Sequence, residues 1–307
     1  MAIHVLPLER RTLHGQFSRD IAPVLTIDSG DSVHFTTLDA GWNVAPGKKY
    51  ELRDNDLDRG HALCGPIAIR GAEPGMTLEV RINQLRPVSW GWTRAGGWSS
   101  PVNDRLGVAQ GETLTLDWAL DHENGTARDQ FGHTVKLCPF LGVMGMPPSE
   151  PGSHPTAPPR TTGGNIDCKE LVVGSSLFLP IAVPLGLFST GDGHAVQGDG
   201  EVSTTALECG MELADLTFLL HKDMHLTTPR ALTPAGRITF GFHQDLHEAT
   251  MIALDAMLEW MGELHGLPRL NALALASLAV DLHVTQLVNA GVRGAHAILS
   301  YDAIGGV

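Results

Sequence analysis

The densest group of residues that could carry chemistry lies in residues 191–201, GDGHAVQGDGE. Asp192 and His194 are two positions apart, so an extended backbone would place both side chains on the same side. Carboxylate oxygens and imidazole nitrogens are the ligands of zinc-type catalytic sites, and glycines allow close backbone approach. The segment therefore predicts a flexible, metal-binding catalytic loop, which also carries Gln197, Asp199 and Glu201. The alternative is a solvated hairpin, because Asp-Gly pairs are common in turns.

Two shorter segments offer further candidates. Residues 163–168, GGNIDC, place Asp167 where it could serve as a ligand or base, although an Asx-turn is an equally good interpretation. Cys168 could be a nucleophile, but no histidine lies at a spacing that would identify its base. His61 precedes a predicted strand, where a lone histidine is more often structural than functional.

Other known catalytic patterns are missing from the sequence. The pairs His221/His225 and His243/His247 have helical spacing, but H-E-x-x-H is absent, and partly exposed surface histidines are the better interpretation. There is no G-x-S-x-G elbow and no P-loop. A metalloprotease, a serine hydrolase of the elbow type and a P-loop nucleotidase are therefore not supported.

The composition favours a large, strand-rich globular protein. The chain has 307 residues, of which 43% are apolar, and its 35 glycines and 19 prolines indicate many turns. A net charge of −13 argues against a nucleic-acid partner, which would require basic surfaces. The four cysteines are not closely spaced, so reduced thiols in a cytoplasmic protein are expected.

Neither a signal peptide nor a membrane span is expected. The N-terminal residues lack an apolar core. Residues 171–191 form a long uncharged stretch, but Pro180 and Pro184 would break a helix there. We expect two buried strands instead, at residues 176–179 and 181–188.

The remaining elements must position these candidates. Alternating residues at 31–37, 77–84 and 111–117 predict short strands separated by Gly/Pro turns, which suggests a β-sandwich or barrel. Helices are predicted at 245–264 and 270–278, followed by strands at 279–289 and 296–300. The proline-rich stretch 145–164 suggests a boundary between a β-rich portion, 1–150, and a β/α portion, 151–307. The expected class is mainly β, of α+β type.

Four segments resemble elements of the acetamidase/formamidase family. GDGHAVQGDGE at 191–201 looks like the family's most recognisable motif, and GGNIDCKEL at 163–171 is similar to its G-G-N-x-D element. HALCGPIAIRGAEPG at 61–75 resembles its H-x-x-x-G-P element, and DLHVTQLVN at 281–289 resembles its C-terminal segment. They occur in family order across nearly the whole chain, whose length resembles the shorter, acetamidase-like branch.

The resemblance implies an amidase that converts short aliphatic amides into a carboxylate and ammonia. It also implies a β-rich fold with a sandwich-like portion and a smaller α/β portion. Zinc or calcium is associated with the family, so a divalent cofactor is expected here, with zinc ahead of calcium. The expected metal ligands are Asp167, Asp192 and His194, with His61 as a weaker fourth.

The remaining candidates have roles in proton transfer and substrate binding. Glu201 or Asp199 would take the proton of the attacking water and pass it to the leaving ammonia. Gln197 and Asn165 are of the right type to hold the amide.

The sequence leaves two alternatives open, one of mechanism and one of function. One is a covalent amidase that uses Cys168 or a carboxylate as its nucleophile. The other is a metal-dependent β-sandwich binding module without enzymatic activity. The expected partners are a small-molecule amide and other copies of the chain in a homo-oligomer, with no nucleic acid and no membrane.

Overall fold

The computed structural model describes residues 1–305, and its fold is mainly β, as predicted. The strands of the described residues are β1 (Ile3–Leu6), β2 (Leu13–His14), β3 (Gln16–Phe17), β4 (Leu25–Ile27), β5 (Ser32–Thr37), β6 (Asn43–Ala45), β7 (Lys48–Lys49), β8 (Leu63–Ile69), β9 (Thr77–Pro87), β10 (Trp90–Ala95), β11 (Leu114–Asp121), β12 (Thr126–Asp129), β13 (Thr134–Lys136), β14 (Phe140–Gly145), β15 (His154–Pro155), β16 (Gly163–Asn165), β17 (Ser176–Pro180), β18 (Phe188–His194), β19 (Glu208–Cys209), β20 (Met211–His221), β21 (Arg230–Thr233), β22 (Gly236–His243), β23 (Val280–Asn289) and β24 (Val292–Leu299). The α-helices of the same residues are α1 (Pro101–Leu106), α2 (Leu246–His265) and α3 (Arg269–Ala279), and 3-10 turns occur at Arg10–Thr12 and Asp56–Asp58.

Two large sheets contain most of these strands. The first has nine strands in the order β1-β5-β20-β9-β17-β21-β22-β24-β23. The second has eleven strands; its main path is β13-β12-β11-β10-β19-β18-β14-β16, and β8 joins it through β18 while also pairing with β2 and β4. Two further pairs, β15-β3 and β6-β7, are small.

Buried side chains from both large sheets share one apolar core. Phe188 on β18 meets Phe218 on β20 edge to face, with ring centroids 5.0 Å apart, and Phe35 on β5 also packs against Phe218. The apolar face predicted for residues 77–84 is confirmed, because Leu78, Val80 and Ile82 are buried in this core. Glu79 on the other face is buried as well, where it pairs with Arg81. Apolar contact between the sheets therefore stabilises a sandwich-like fold.

Strands from both sides of residue 150 contribute to each large sheet. In the first sheet β9 lies between β17 and β20, and in the second β14 lies between β16 and β18. The proline-rich stretch thus does not separate one sheet from the other, and the boundary at residue 150 stays a prediction.

One predicted strand is misplaced. Residues 176–179 lie in β17 as expected, but residues 181–187 form an irregular connection, and the next strand begins only at Phe188. Leu185, Gly186 and Leu187 have φ values of 65°, 70° and 57°, and three such residues in succession turn the chain away from the extended course of a strand. No helix among residues 1–305 is long and apolar enough to cross a membrane.

The C-terminal helices lie where the apolar periodicity placed them. Asp245 caps α2 by accepting hydrogen bonds from the backbone N–H groups of His247 and Glu248. The helix packs on β22, where Thr239 donates to the carbonyl of Ala253 at 2.6 Å. Gly241 permits this contact, because a Cβ there would lie 1.9 Å from the carbonyl oxygen of Ala249.

Trp260 on α2 provides a stability prediction. Its side chain is buried, and the Arg230 guanidinium lies 4.7 Å from the centroid of its ring. We expect Trp260→Ala to lower the free energy of unfolding by about 3–5 kcal/mol, as measured by denaturant titration. Leu106→Ala is the control, because Leu106 is exposed on α1 and its substitution should cost less than about 0.5 kcal/mol. A Trp260→Ala protein with unchanged stability and lost activity would contradict a purely structural role.

Candidate active site

The first four residues of the GDGHAVQGDGE segment are part of a buried strand and not of a flexible loop. Residues 191–194 complete β18, which pairs with β14 on one side and with β8 and β19 on the other. Gly191 makes this packing possible, because a Cβ there would lie 2.2 Å from the carbonyl oxygen of Ala62 on the approach to β8. The rigid centre of a sheet therefore positions Asp192 and His194.

His194 lies at the centre of a group of buried carboxylates. Its Nε2 atom is 3.4 Å from Asp192 Oδ1 and 3.5 Å from Glu208 Oε1, and its Nδ1 atom is 4.0 Å from Asp167 Oδ1. Glu208 is the strand partner of His194 between β18 and β19. The Phe140 ring covers the imidazole edge to face, with centroids 5.0 Å apart. At least one carboxylate thus lies near each ring nitrogen of His194.

Glu201 and Asp167 complete the group around His194. One ligand atom from each of these three residues lies within 4.8 Å of the others, and the same holds for Asp192, His194 and Glu208. Asn289 at the end of β23 donates a short hydrogen bond to Asp167 Oδ2. The predicted ligands Asp167, Asp192 and His194 are therefore brought together.

Gly142 on β14 forms the floor beneath these side chains. A Cβ at this position would lie 2.6 Å from Asp167 Oδ1, 2.7 Å from Asp192 Oδ2 and 2.8 Å from His194 Cε1. No real Cβ makes contacts this short, so the three side chains can converge only above a glycine.

The backbone at three of these carboxylates is strained. Asp167, Asp192 and Glu201 have φ values of 54°, 56° and 44°, in the left-handed region that non-glycine residues avoid. Such a conformation costs about 1–3 kcal/mol per residue and persists where the surrounding structure imposes it. The fold therefore aims these three carboxylates inward against their local preference.

Most buried polar atoms without a hydrogen-bond partner belong to this site. Among the described residues they include both ring nitrogens of His194, and Oδ1 of Asp167, Oδ1 of Asp192, Oε2 of Glu201 and Oε2 of Glu208. Buried polar groups without partners are costly, and they mark places where a ligand, an ion or water completes the bonding. These atoms point to a polar ligand or a cation.

The carboxylates and the imidazole change each other's protonation. Burial raises the pKa of Asp167 to about 8 and that of Glu208 to about 7. Burial and the charge of Asp167 raise the pKa of Glu201 well above its ordinary range. Burial opposes ionisation of Asp192 and His194 as well, but their mutual attraction prevails: the pKa of Asp192 falls to about 2, and Glu208 and Asp192 raise that of His194.

The donor set fits a divalent cation. Four carboxylates surround one imidazole, several of their oxygens lack partners, and excess buried negative charge is stabilised by a cation. A mixture of imidazole nitrogen and carboxylate oxygen is typical of zinc sites, whereas calcium prefers oxygen alone.

The structure leaves Asp199 outside this group. Its carboxylate accepts from Lys169 Nζ at 2.8 Å and pairs with His283 Nδ1 at 2.8 Å. Lys169 also binds Glu170, and the His283 ring stacks on His296 with centroids 4.9 Å apart. Asp199 therefore ties the segment after His194 to the GGNIDCKEL segment and to β23.

The three remaining predicted site residues are Gln197, Asn165 and His61, and they differ in their contacts with the carboxylate group. Gln197 donates to the carbonyl of Asp167 at 2.9 Å and so supports the backbone of a site residue. Asn165 donates through Nδ2 to the carbonyl of Ala157, and its Oδ1 atom has no partner. His61 binds Thr156 Oγ1 through Nδ1 at 2.8 Å and is not among the groups whose ligand atoms converge.

A cavity of about 430 Å³ opens above the carboxylates and is called the inner cavity below. It is lined by Ala40, Gly41, Gly60, His61, Trp92, Ala157, Asn165, Asp192, Glu201, Thr204, Thr205, Glu208, Val288, Asn289 and Ala290. Carboxyl groups line one part of it, and amide, aromatic and aliphatic groups line the rest. A small polar molecule can therefore reach Asp192, Glu201 and Glu208.

Sequence reasoning missed three residues of this site. Glu208 carries the only charge within residues 206–211, ALECGM, and a lone carboxylate in an apolar stretch is a usable signal for a buried functional group. Asn289 ends a segment that the family resemblance had marked, but its role was not foreseen. Nothing local distinguishes Gly142 from the other glycines.

Comparison with known proteins gives this geometry its context. The profile of the Acetamidase/Formamidase family matches residues 7–154 and 150–299. The chain belongs to the acetamidase/formamidase family. The family resemblance of its four segments is thereby confirmed.

Individual members of the acetamidase/formamidase family are moderately similar to this chain. A formamidase from Methylophilus methylotrophus is 26% identical over 242 residues, which are 62% of this chain and 60% of that relative. An acetamidase from Mycolicibacterium smegmatis is 28% identical over 220 residues, 52% of this chain and 53% of that relative. The chain thus matches only about half to three fifths of the length of these curated relatives. The crystal structure of an acetamidase from Yersinia enterocolitica gives a TM-score of 0.83 at 27% identity, covering 99% of this chain and 93% of that one.

Each of the four family segments contributes a residue to the inner cavity of this acetamidase/formamidase family member. They supply His61, Asn165, Asp192 together with Glu201, and Asn289. Segments separated by up to 228 positions (His61 to Asn289) therefore line one cavity.

Proposed function

We propose that the chain hydrolyses short aliphatic amides of the formamide and acetamide type to a carboxylate and ammonia. The observation that carries this proposal is the group of partnerless carboxyl and imidazole atoms beside the inner cavity. Family membership and relatives named formamidase and acetamidase support the same reaction.

The proposal includes a divalent ion, with zinc ahead of calcium. Asp192, His194 and Glu208 would hold it, or Asp167, His194 and Glu201. An ion held there would supply Lewis acidity to the amide carbonyl and to a water molecule. His61 is a weaker ligand candidate, because its ligand atoms are not among those that converge.

The residues around the inner cavity would bind the amide and move protons. Asn165 lines the inner cavity and its Oδ1 atom has no partner, so it would accept from an amide N–H group. Glu201 lines the inner cavity, and a neighbouring cation would favour its ionised form against the effect of burial, so it would take a proton from the attacking water and return it to the departing nitrogen. Asp199 is engaged with Lys169 and His283, so we assign this proton transfer to Glu201.

An ammonia-release assay with formamide, acetamide and propionamide tests the function. We expect turnover that a chelator abolishes and that one divalent metal restores. Full activity in a rigorously metal-free sample would remove the metal from the mechanism while leaving the amidase. Absence of turnover with every metal and amide, together with glycan binding, would favour the non-enzymatic binding module.

Cys168 distinguishes the proposed reaction from a covalent one through a thiol. The side chain is buried, and burial together with the neighbouring Glu170 raises the pKa of its thiol well above the ordinary value. Its Sγ atom donates to Glu170 Oε2 at 3.2 Å and does not line the inner cavity. We expect Cys168→Ala to retain kcat/KM within about threefold. An acyl adduct on Cys168, detected by mass spectrometry after rapid quenching, would contradict this.

We also propose a cytoplasmic homo-oligomer. The four cysteines Cys64, Cys138, Cys168 and Cys209 are free in the structure, which is consistent with a reducing compartment. Leu270 and Leu278 on α3 are 78% and 85% exposed, and exposed apolar side chains often become buried between subunits. Light scattering of the purified protein measures the oligomeric state.

A further inference from the structure

A second cavity adjoins the inner cavity and is called the outer groove. Its volume is about 520 Å³. Trp92, Thr204 and Thr205 line both spaces, so these residues form their common border. Formamide and acetamide have little or nothing beyond the amide group and would leave the outer groove empty. Ligand sites of about 300–1,000 Å³ ordinarily take much larger molecules.

The walls of the outer groove are flat and aromatic. Trp92 and Trp98 supply two indole rings, and the Arg94 guanidinium lies 4.6 Å from the centroid of the Trp92 ring. Planar groups of this kind bind another planar ring by stacking. No carboxylate pairs with Arg94 within residues 1–305, so its charge remains available at the groove, where the guanidinium packs on Trp92.

Hydrogen bonds hold these walls in place. Trp92 Nε1 donates to the buried Asp39 carboxylate at 2.6 Å, which fixes the plane of its indole ring. The Trp98 carbonyl accepts from Asn103 Nδ2 at 3.0 Å. Thr205 Oγ1 accepts from the backbone N–H of Arg94 at 2.9 Å and donates to its carbonyl at 3.1 Å. The groove is therefore preformed, which lowers the entropic cost of binding a ligand there.

The strand register links the aromatic wall to the carboxylate site. Trp92 on β10 is directly opposite Glu208 on β19, and Glu208 is opposite His194 on β18. The neighbouring strands β18, β19 and β10 thus connect the carboxylate site at the inner cavity to the indole ring of Trp92. A substrate whose amide lies at Glu208 and Glu201 would extend its acyl substituent past Trp92 toward Trp98.

We propose that the outer groove is a subsite for a planar aromatic acyl substituent, so that arylacetamides are better substrates than acetamide. The proposal rests on the amidase function and names the substrate class of the same site. Trp98 is the specificity-determining residue, because it lines the outer groove and not the inner cavity.

Steady-state kinetics with phenylacetamide and acetamide test the subsite. We expect the wild-type kcat/KM for phenylacetamide to exceed that for acetamide by about tenfold or more. Trp98→Ala should lower the ratio of the two values about tenfold, mainly through KM for phenylacetamide. Phe131→Ala is the matched control, because Phe131 is an exposed aromatic residue that does not line the groove, and it should leave the ratio unchanged. Trp98→Leu replaces Trp98→Ala if the smaller side chain prevents folding.

The outcomes separate the subsite from the amidase function. A wild-type preference for acetamide, or an equal loss for both amides in Trp98→Ala, would overturn the subsite and leave the function standing. Absence of ammonia from both amides would overturn the function, and calorimetric titration with phenylacetamide then decides the subsite. About tenfold weaker binding to Trp98→Ala supports the groove, whereas no binding or equal binding overturns it.

Discussion

His194→Ala should reduce ammonia release from acetamide by about a thousandfold or more. Its imidazole has carboxylates on both sides, Asp192 and Glu208 at one nitrogen and Asp167 at the other. It belongs to both sets of candidate ligands, so its removal weakens either arrangement. The measurements are kcat/KM and metal content by elemental analysis.

A buried residue such as His194 needs a check on folding. Because β18 is buried along its whole length, the variant should be compared with wild type by circular dichroism and thermal melting. His243→Ala is the matched control, since His243 is exposed at the end of β22 and should leave activity unchanged. A folded His194→Ala protein that keeps its metal and near-normal turnover would refute the assignment.

Gly142→Ala should lower kcat/KM by about a hundredfold or more. The added Cβ would lie within 2.8 Å of atoms in Asp167, Asp192 and His194, so at least one of these side chains must move. A displacement of about 1 Å at a reacting group can cost about a hundredfold in rate. Amide turnover and metal affinity are the measurements, and both should fall together.

Gly198→Ala is the control for this substitution. Gly198 belongs to the GDGHAVQGDGE segment, but nothing lies within 4 Å of a Cβ there, and its φ is not in the left-handed region. We expect wild-type activity from it. If Gly142→Ala matched Gly198→Ala in rate and metal affinity, the converging side chains would not be the catalytic group.

The local periodicity of the sequence was enough to identify several elements. Alternation at residues 77–84 predicted a strand, and the structure has β9 (Thr77–Pro87) there. The apolar spacing after Asp245 predicted a helix, which is α2 (Leu246–His265). Both signals arise within a few residues, because the side-chain period of a strand or helix is a local property. At residues 181–187 the signal failed, since an apolar run does not reveal positive φ values.

The sequence also identified the kinds of residue at the site, but it predicted only in part which of them lie together. Asp192 and His194 are two residues apart on β18, and they do meet, although Asp192 has a positive φ instead of the extended backbone that the prediction assumed. Asp199 lies only five positions beyond His194, yet it pairs with Lys169 and His283. β18 ends at His194 and the chain is irregular from there to Asp199, so spacing along the sequence no longer measures distance in space.

By itself the sequence determined the mainly β class, the family and most of the polar residues at the site. The tertiary structure alone decided that Glu208 and Asn289 join them, that Asp199 does not, and that Gly142 lies beneath. The physical reason is that neighbours within a sheet come from distant parts of the chain, through strand pairing. β18 receives Glu208 from β19 on one edge and Gly142 from β14 on the other. Pairing partners of this kind depend on the packing of the whole core, which no local pattern encodes.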